Sequence, residues 1–103
     1  MKLNSFSPIP EDEEELHLPE LVYWSSLGEL EQVKVLLEQG IDPNQADDEG
    51  YSALHAAAEN NHLNIVKLLV SKGASVNHKS PYTALELAEM ADHQEIMAYL
   101  KSL

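Results

Sequence analysis

The chain repeats itself. Moved along itself by 33 positions, LGELEQVKVLLEQGIDPN (Leu27 to Asn44) falls on NNHLNIVKLLVSKGASVN (Asn60 to Asn77). Leu30 meets Leu63, Val33 meets Val66, Lys34 meets Lys67, Leu36 meets Leu69, Gly40 meets Gly73 and Asn44 meets Asn77. A third copy, TALELAEMADHQEIMAYL (Thr83 to Leu100), matches SALHAAAENNHLNIVKLL at a shift of 31. It aligns Leu54 with Leu85, His62 with His93, Ile65 with Ile96 and Leu69 with Leu100. Such a period constrains the fold strongly, because one unit cannot bury its apolar face alone and must stack on its neighbours.

The local signals inside one unit agree with a helical hairpin. Ser52 is placed to cap a helix over about Ala53 to Asn60. Its run of alanines lacks bulk, so a neighbouring helix can approach closely. Asn60 and Asn61 break that helix. A second follows, with Leu63, Val66, Leu69 and Val70 at three- and four-residue spacing on one apolar face. Gly73 ends it, being able to adopt the left-handed conformation a helix terminus requires. The segment from Ser75 to about Pro81 reads as an extended loop to the next unit.

GYSALHAAAENNHLNIVKLLVSKGASVN resembles an ankyrin repeat. Gly50, Leu54, His55, Ala57, Ala58, His62, Ile65, Val66, Leu68, Leu69, Gly73, Ala74, Val76 and Asn77 all match the family's pattern, while Ser52, Ala53 and Asn61 stand for its threonine, proline and glycine. The likeness spans about Pro19 to Leu103. It implies an all-α solenoid of three stacked helix-turn-helix units with short extended loops, covering about 19–46, 47–79 and 80–103. An acidic leader, 1–18, precedes the repeat domain, 19–103.

The end copies depart from the pattern. The first offers LVYWSSLGELE, with Trp24 where the family places a small residue, and Phe6, Ile9, Leu16 and Leu18 are the expected covers of that open face. The third has a shorter loop and carries Glu86 in the histidine's place. Terminal units of a stack are atypical because one face of each meets water, so the expectation is a small protein of three units complete in itself. In the leader, Pro8 and Pro10 favour extended chain. The run EDEEE (Glu11 to Glu15) reads as a solvated charge run or, more sharply, as a ligand for a basic partner. Pro19 is suited to open the first helix.

Charge narrows the function. Six lysines against eighteen carboxylates give a formal charge of −12, which repels phosphate backbones and argues against direct nucleic-acid binding. The same field draws in basic partners. There is no cysteine, so neither a disulfide frame nor a thiolate zinc site exists. The N-terminal stretch has no apolar signal region, and no apolar run approaches the roughly 18 residues of a membrane helix. A cytoplasmic protein, away from membranes, is the expectation.

Nothing in the sequence argues for an enzyme. His55 has the chemistry of a general base, but the resemblance implies that it ties the loop backbone of adjacent units together. His62 and His93 occupy matching positions and read as scaffold, and His17 and His78 have no partner at metal spacing. Asp47, Asp48 and Glu49 lie in a loop rather than a cleft, whereas paired carboxylate catalysis needs two divergent environments. The four glycines form no phosphate loop, and Ser25, Ser26 and Ser71 lack a nucleophile elbow. No cofactor and no metal are expected.

The resemblance implies a protein-binding module that works through its concave face of loop tips and first helices. The family's variable surface positions fall on Asp48, Glu49, Tyr51, Glu59 and Asn60 in the central unit. They fall on Tyr82, Met90 and Ala91 in the third and on Ser26 and Leu27 in the first, with Tyr23 beside them. Apolar anchors with charge at the rim suit an interface. The expected partner is a basic protein, bound by a chain that is monomeric when free. One concrete form is an antidote that occludes a basic toxin or nuclease. The alternative is a structural or assembly subunit that docks through Trp24, the leader or the helix from Gln94 to Leu103.

Overall fold

The computed structural model describes residues 18–103. Phe6, Pro8, Ile9, Pro10, the acidic run, Leu16 and His17 lie outside the described residues. Six helices follow in order: α1 Glu20–Leu27, α2 Leu30–Glu38, α3 Ala53–Glu59, α4 Leu63–Ser71, α5 Ala84–Ala91 and α6 Gln94–Lys101. They pair as α1 with α2, α3 with α4 and α5 with α6. The first helices form one row, α1 on α3 on α5, and the second helices form the other, α2 on α4 on α6. Among the described residues there is no strand, only an isolated antiparallel bridge between Ala46 and Ser52.

The helix starts follow from local chemistry. At α3 the Ser52 hydroxyl accepts the His55 N–H at 3.4 Å, and His55 Nδ1 accepts the Ser52 N–H at 3.1 Å. Thr83 and Glu86 repeat this reciprocal cap at α5, at 3.1 and 2.9 Å. Each box satisfies backbone donors that a helix start leaves free. Pro19 occupies the cap position of α1, one residue before the helix opens at Glu20. The start of α1 is capped instead by the loop that follows α2, where Gln45 Oε1 accepts the Leu21 N–H at 3.4 Å.

The three corners between paired helices are copies of one another. Gly28, Asn61 and Asp92 all take left-handed backbone, with φ of 79, 66 and 61°. After each, an N–H returns to the last turn of the helix before it: Glu29 to the Trp24 carbonyl, His62 to that of Ala57, His93 to that of Ala88. Glycine adopts this conformation freely, and asparagine and aspartate are the side chains that tolerate it. The sequence expectation of a break at Asn60 and Asn61 holds, with α3 ending at Glu59.

The alanines explain the stack. Positions 53 to 58 of α3 are all buried, as a helix between two others requires. Ala53, Ala56, Ala57 and Ala58 are fully buried in the helix that packs against both α1 and α5, and their small side chains allow close helix approach. Leu21, Val33, Leu54, Ile65, Val66, Leu69 and Ile96 fill the space behind them at 0–1% exposure. Each such side chain contributes about 1.5–3 kcal/mol by leaving water. A leucine at Ala57 would overpack the inner row and cost about 1–3 kcal/mol. Trp24, which shares the register of Ala57, is half-buried against this core and meets Tyr23 edge-on at 5.3 Å. Leu18, one expected cover of that end, is itself 37% exposed.

Candidate protein-binding face

The loop between the first two units is shaped by Asp47. One of its carboxylate oxygens accepts the N–H groups of Glu49 and Tyr51, both at 2.9 Å. Its own N–H bonds the Tyr51 carbonyl at 3.0 Å. Asp48 and Glu49 thereby form an exposed tip. The Tyr51 hydroxyl donates to Glu59 Oε1 on the last turn of α3. Burial raises the Tyr51 hydroxyl above the usual phenol range, and its bond to the Glu59 carboxylate, then the charges of Glu59 and Asp47, add to the rise. The phenol therefore stays protonated and holds that carboxylate in place.

The loops are laced to one another. His55 Nε2 donates to the carbonyls of His78 at 3.0 Å and Tyr82 at 2.9 Å. With Nδ1 accepting from Ser52, the ring is the neutral Nε2–H tautomer. Burial lowers its basicity below the ordinary histidine value. His78 Nε2 donates back to the Gly50 carbonyl at 3.0 Å, and the Ser80 hydroxyl donates to the Glu49 carbonyl. Asn44 Oδ1 accepts the Ser75 N–H at 2.7 Å while its amide donates to the Gly73 carbonyl at 3.3 Å.

A second set of bonds fixes the helix ends. His62 Nε2 lies 3.2 Å from the Ser26 carbonyl, and His93 Nε2 lies 2.9 Å from that of Glu59. Both rings reach from a second helix's start to the last turn of the preceding unit's first helix. His55 thus spends both ring nitrogens on the scaffold, and His62 and His93 each spend Nε2 on it.

The residues singled out by sequence lie on this framework as follows. Leu27, Asp48, Glu49, Glu59, Asn60, Tyr82, Met90 and Ala91 are exposed, while Tyr23, Ser26 and Tyr51 are half-buried. The Ser26 hydroxyl is turned back on the Tyr23 carbonyl at 2.7 Å, and the Asn60 amide on that of Ala56 at 2.9 Å. Leu27, Tyr82 and Met90 are 51, 44 and 63% exposed. Helices α1, α3 and α5 carry Glu20, Glu59, Glu86 and Glu89 and no lysine. Lys34, Lys67 and Lys101 belong to the outer helices, where Lys67 lies over the Tyr99 ring at 5.7 Å. The ion pairs among the described residues, Lys34–Glu31 and Lys101–Glu89, leave Asp48, Glu49 and Glu59 uncompensated.

Sequence reasoning chose Tyr51 and Glu59 separately and did not join them. It also passed over Asn44, Gln45 and Ser80. The recurrence of asparagine at 44 and 77 was the available signal for the first; the other two have no counterpart in the repeat.

A short hairpin laid beside its copies, with inner helices in one row and loop tips beside them, defines a helical repeat protein. The sequence matches the description "Ankyrin repeats (3 copies)" over residues 21–102, and the chain belongs to the ankyrin repeat family. It is 41% identical over 86 residues to alpha-latrocrustotoxin-Lt1a of Latrodectus tredecimguttatus, covering 82% of this chain and 6% of that protein. It is 42% identical over 53 residues to Ankyrin repeat domain-containing protein 39 of Homo sapiens, covering 50% of this chain and 29% of that protein. It is 45% identical over 58 residues to the human palmitoyltransferase ZDHHC13, covering 56% of this chain and 9% of that protein. The chain thus spans less than a third of each of these relatives. Ankyrin repeats are in general protein–protein interaction modules and typically non-enzymatic. Among the described residues no helix is long and apolar enough to cross a membrane.

Proposed function

We propose that residues 19–103 bind a basic partner protein through the face built from Tyr23, Ser26, Leu27, Asp48, Glu49, Tyr51, Glu59, Asn60, Tyr82 and Met90. The observation that carries this reading is the division of charge: carboxylates without lysine on the inner helices, with exposed Leu27 and Met90 on those helices and Tyr82 in the loop before α5. Apolar anchors supply contact area and the surrounding charge steers encounter. The free chain is a monomer in this reading, and the absence of cysteine accords with a cytoplasmic setting. The antidote form, occlusion of a basic toxin or nuclease, is supported by net charge alone.

The test is capture of partners from the source cell by the tagged chain at rising salt, with the double variant Asp48→Asn, Glu49→Gln and with Tyr82→Ala alongside. A basic protein lost at high salt and lost from both variants is the expected result. A partner that is acidic, or one held equally by every variant, overturns the reading. Light scattering separates the assembly alternative, since self-association gives a mass that rises with concentration.

A further inference from the structure

The two ends of the stack show which side of each inner helix meets its neighbours. Helix α3, packed between α1 and α5, buries all six residues from Ala53 to Ala58. Helix α5 has only α3 beside it in the inner row. There Ala84, Leu87 and Ala88 are buried, while Leu85, Glu86 and Glu89 are at least partly exposed. In the repeat register the buried three match Ala53, Ala56 and Ala57, so these positions turn toward the preceding unit. Helix α1 shows the converse. Leu21, Val22 and Ser25 match Leu54, His55 and Ala58 and are 0% exposed against α3. The positions that turn toward a preceding unit are then Glu20, Tyr23 and Trp24.

Two aromatic rings therefore stand where the other units carry alanine or leucine. They meet edge-on at 5.3 Å, and neither is fully buried. On α2, Val35 is 43% exposed, whereas Leu68 and Tyr99 in the same register pack against the core. The opposite end of the inner row is different in kind. Two of its three open positions are carboxylates with partners, Glu86 in the cap of α5 and Glu89 beside Lys101 at 4.0 Å.

The chain itself arrives at the aromatic end. Pro19 is the cap residue of α1, and the preceding residues carry Phe6, Ile9 and Leu16. From Phe6 to Leu16 an extended chain reaches about 36 Å. Helices α1 and α2, of 8 and 9 residues, are about 12–14 Å long with axes about 8–10 Å apart. The segment is thus long enough to cross both. Its attachment gives it a high effective concentration at this face, which a free partner lacks.

We propose that residues 6–16 lie across the open side of α1 and α2, with Phe6, Ile9 and Leu16 against Tyr23, Trp24 and Val35. They take the place that a preceding unit would fill. A single strip of chain fills less volume than a pair of helices, and the large rings of Tyr23 and Trp24 make up the difference where alanine serves between units. The acidic run Glu11 to Glu15 stays in water. This goes beyond the partner face described above and shares only Tyr23 with it.

The test uses the full chain. Trp24 is its only tryptophan and it has no cysteine, so emission and a single introduced label each report one place. In the triple variant Phe6→Ser, Ile9→Ser, Leu16→Ser, Trp24 emission is expected to shift to the red and lose protection from acrylamide, with the helical circular dichroism retained. A nitroxide on Ser7→Cys quenches Trp24 at every protein concentration, and one on Ser102→Cys, in the last unit, leaves it bright. Emission and acrylamide protection unaltered by the triple variant, or equal quenching from the two labels, overturns the proposal. Quenching from the Ser7 label that grows with protein concentration also overturns it, and assigns the face to a second copy of the chain.

Discussion

His55 Nε2 lies 2.9 Å from the carbonyl oxygen of Tyr82, across the boundary between the central and last units. The same ring accepts the Ser52 N–H on its other nitrogen. One side chain therefore caps its own helix and holds the following loop, and it must be neutral to do both.

Stability should fall with acid in a window that His55 defines. Its folded pKa is lowered, first by burial and also by the nearby His78, while the His78 and Tyr82 carbonyls and Asp47 act in the opposite direction. The unfolded chain then binds the proton more readily, so the contribution is complete above about pH 6.5 and is lost as pH falls toward the folded value. Thermal melts between pH 7.5 and 5 should show a falling midpoint, with a shallower fall in His55→Gln. Equal slopes in both proteins would remove His55 as the cause.

The corner at Gly28 has no room for a side chain. A Cβ there, at φ 79°, would sit 2.6 Å from His62 Cε1. Gly28→Ala therefore combines left-handed strain of about 1–2 kcal/mol with displacement of His62 from the Ser26 carbonyl. At Gly40, φ 95°, nothing lies within 4 Å, so Gly40→Ala carries the backbone term alone. Urea denaturation should rank Gly28→Ala as the more damaging; the reverse order would contradict the contact.

Ser25 is fully buried with a hydroxyl that has no hydrogen-bond partner. An unpaired buried hydroxyl costs about 1–3 kcal/mol on protein-derived scales. The central unit carries Ala58 at the same register. Ser25→Ala should raise stability by about 1 kcal/mol, read as a higher urea midpoint at unchanged slope. A lower midpoint would mean that the hydroxyl has a partner.

Tyr51 should be the last tyrosine to ionise. Its hydroxyl is raised by burial and by its bond to Glu59, so an ultraviolet titration toward high pH should lose its most alkaline component in Tyr51→Phe. Glu59→Gln should bring that component down, because it removes the charge that opposes ionisation. A titration curve unaltered by either change would break the pairing.

The sequence by itself determined the units and their chemistry of starting and stopping. Ser52 and Thr83 before apolar runs, Gly40 and Gly73 after them, and three spaced sets of leucine, isoleucine and valine are local or periodic signals. Local backbone physics acts on them wherever the chain goes. Substitution at Glu86 was legible as a departure; that glutamate completes the same reciprocal cap as His55 became visible only with Thr83 beside it. Tertiary structure alone decided the joins: Gln45 to Leu21, Asn44 to the loop of Gly73 and Ser75, Ser80 to Glu49, and Tyr51 to Glu59. Periodicity tells which face of each helix is apolar, but the bonds of Gln45 and Tyr51 depend on how each loop folds back on its own unit, and those of Asn44 and Ser80 on the offset between stacked hairpins. That offset is set by the combined packing of small alanines and larger aliphatic side chains across units, and no single stretch of sequence contains it.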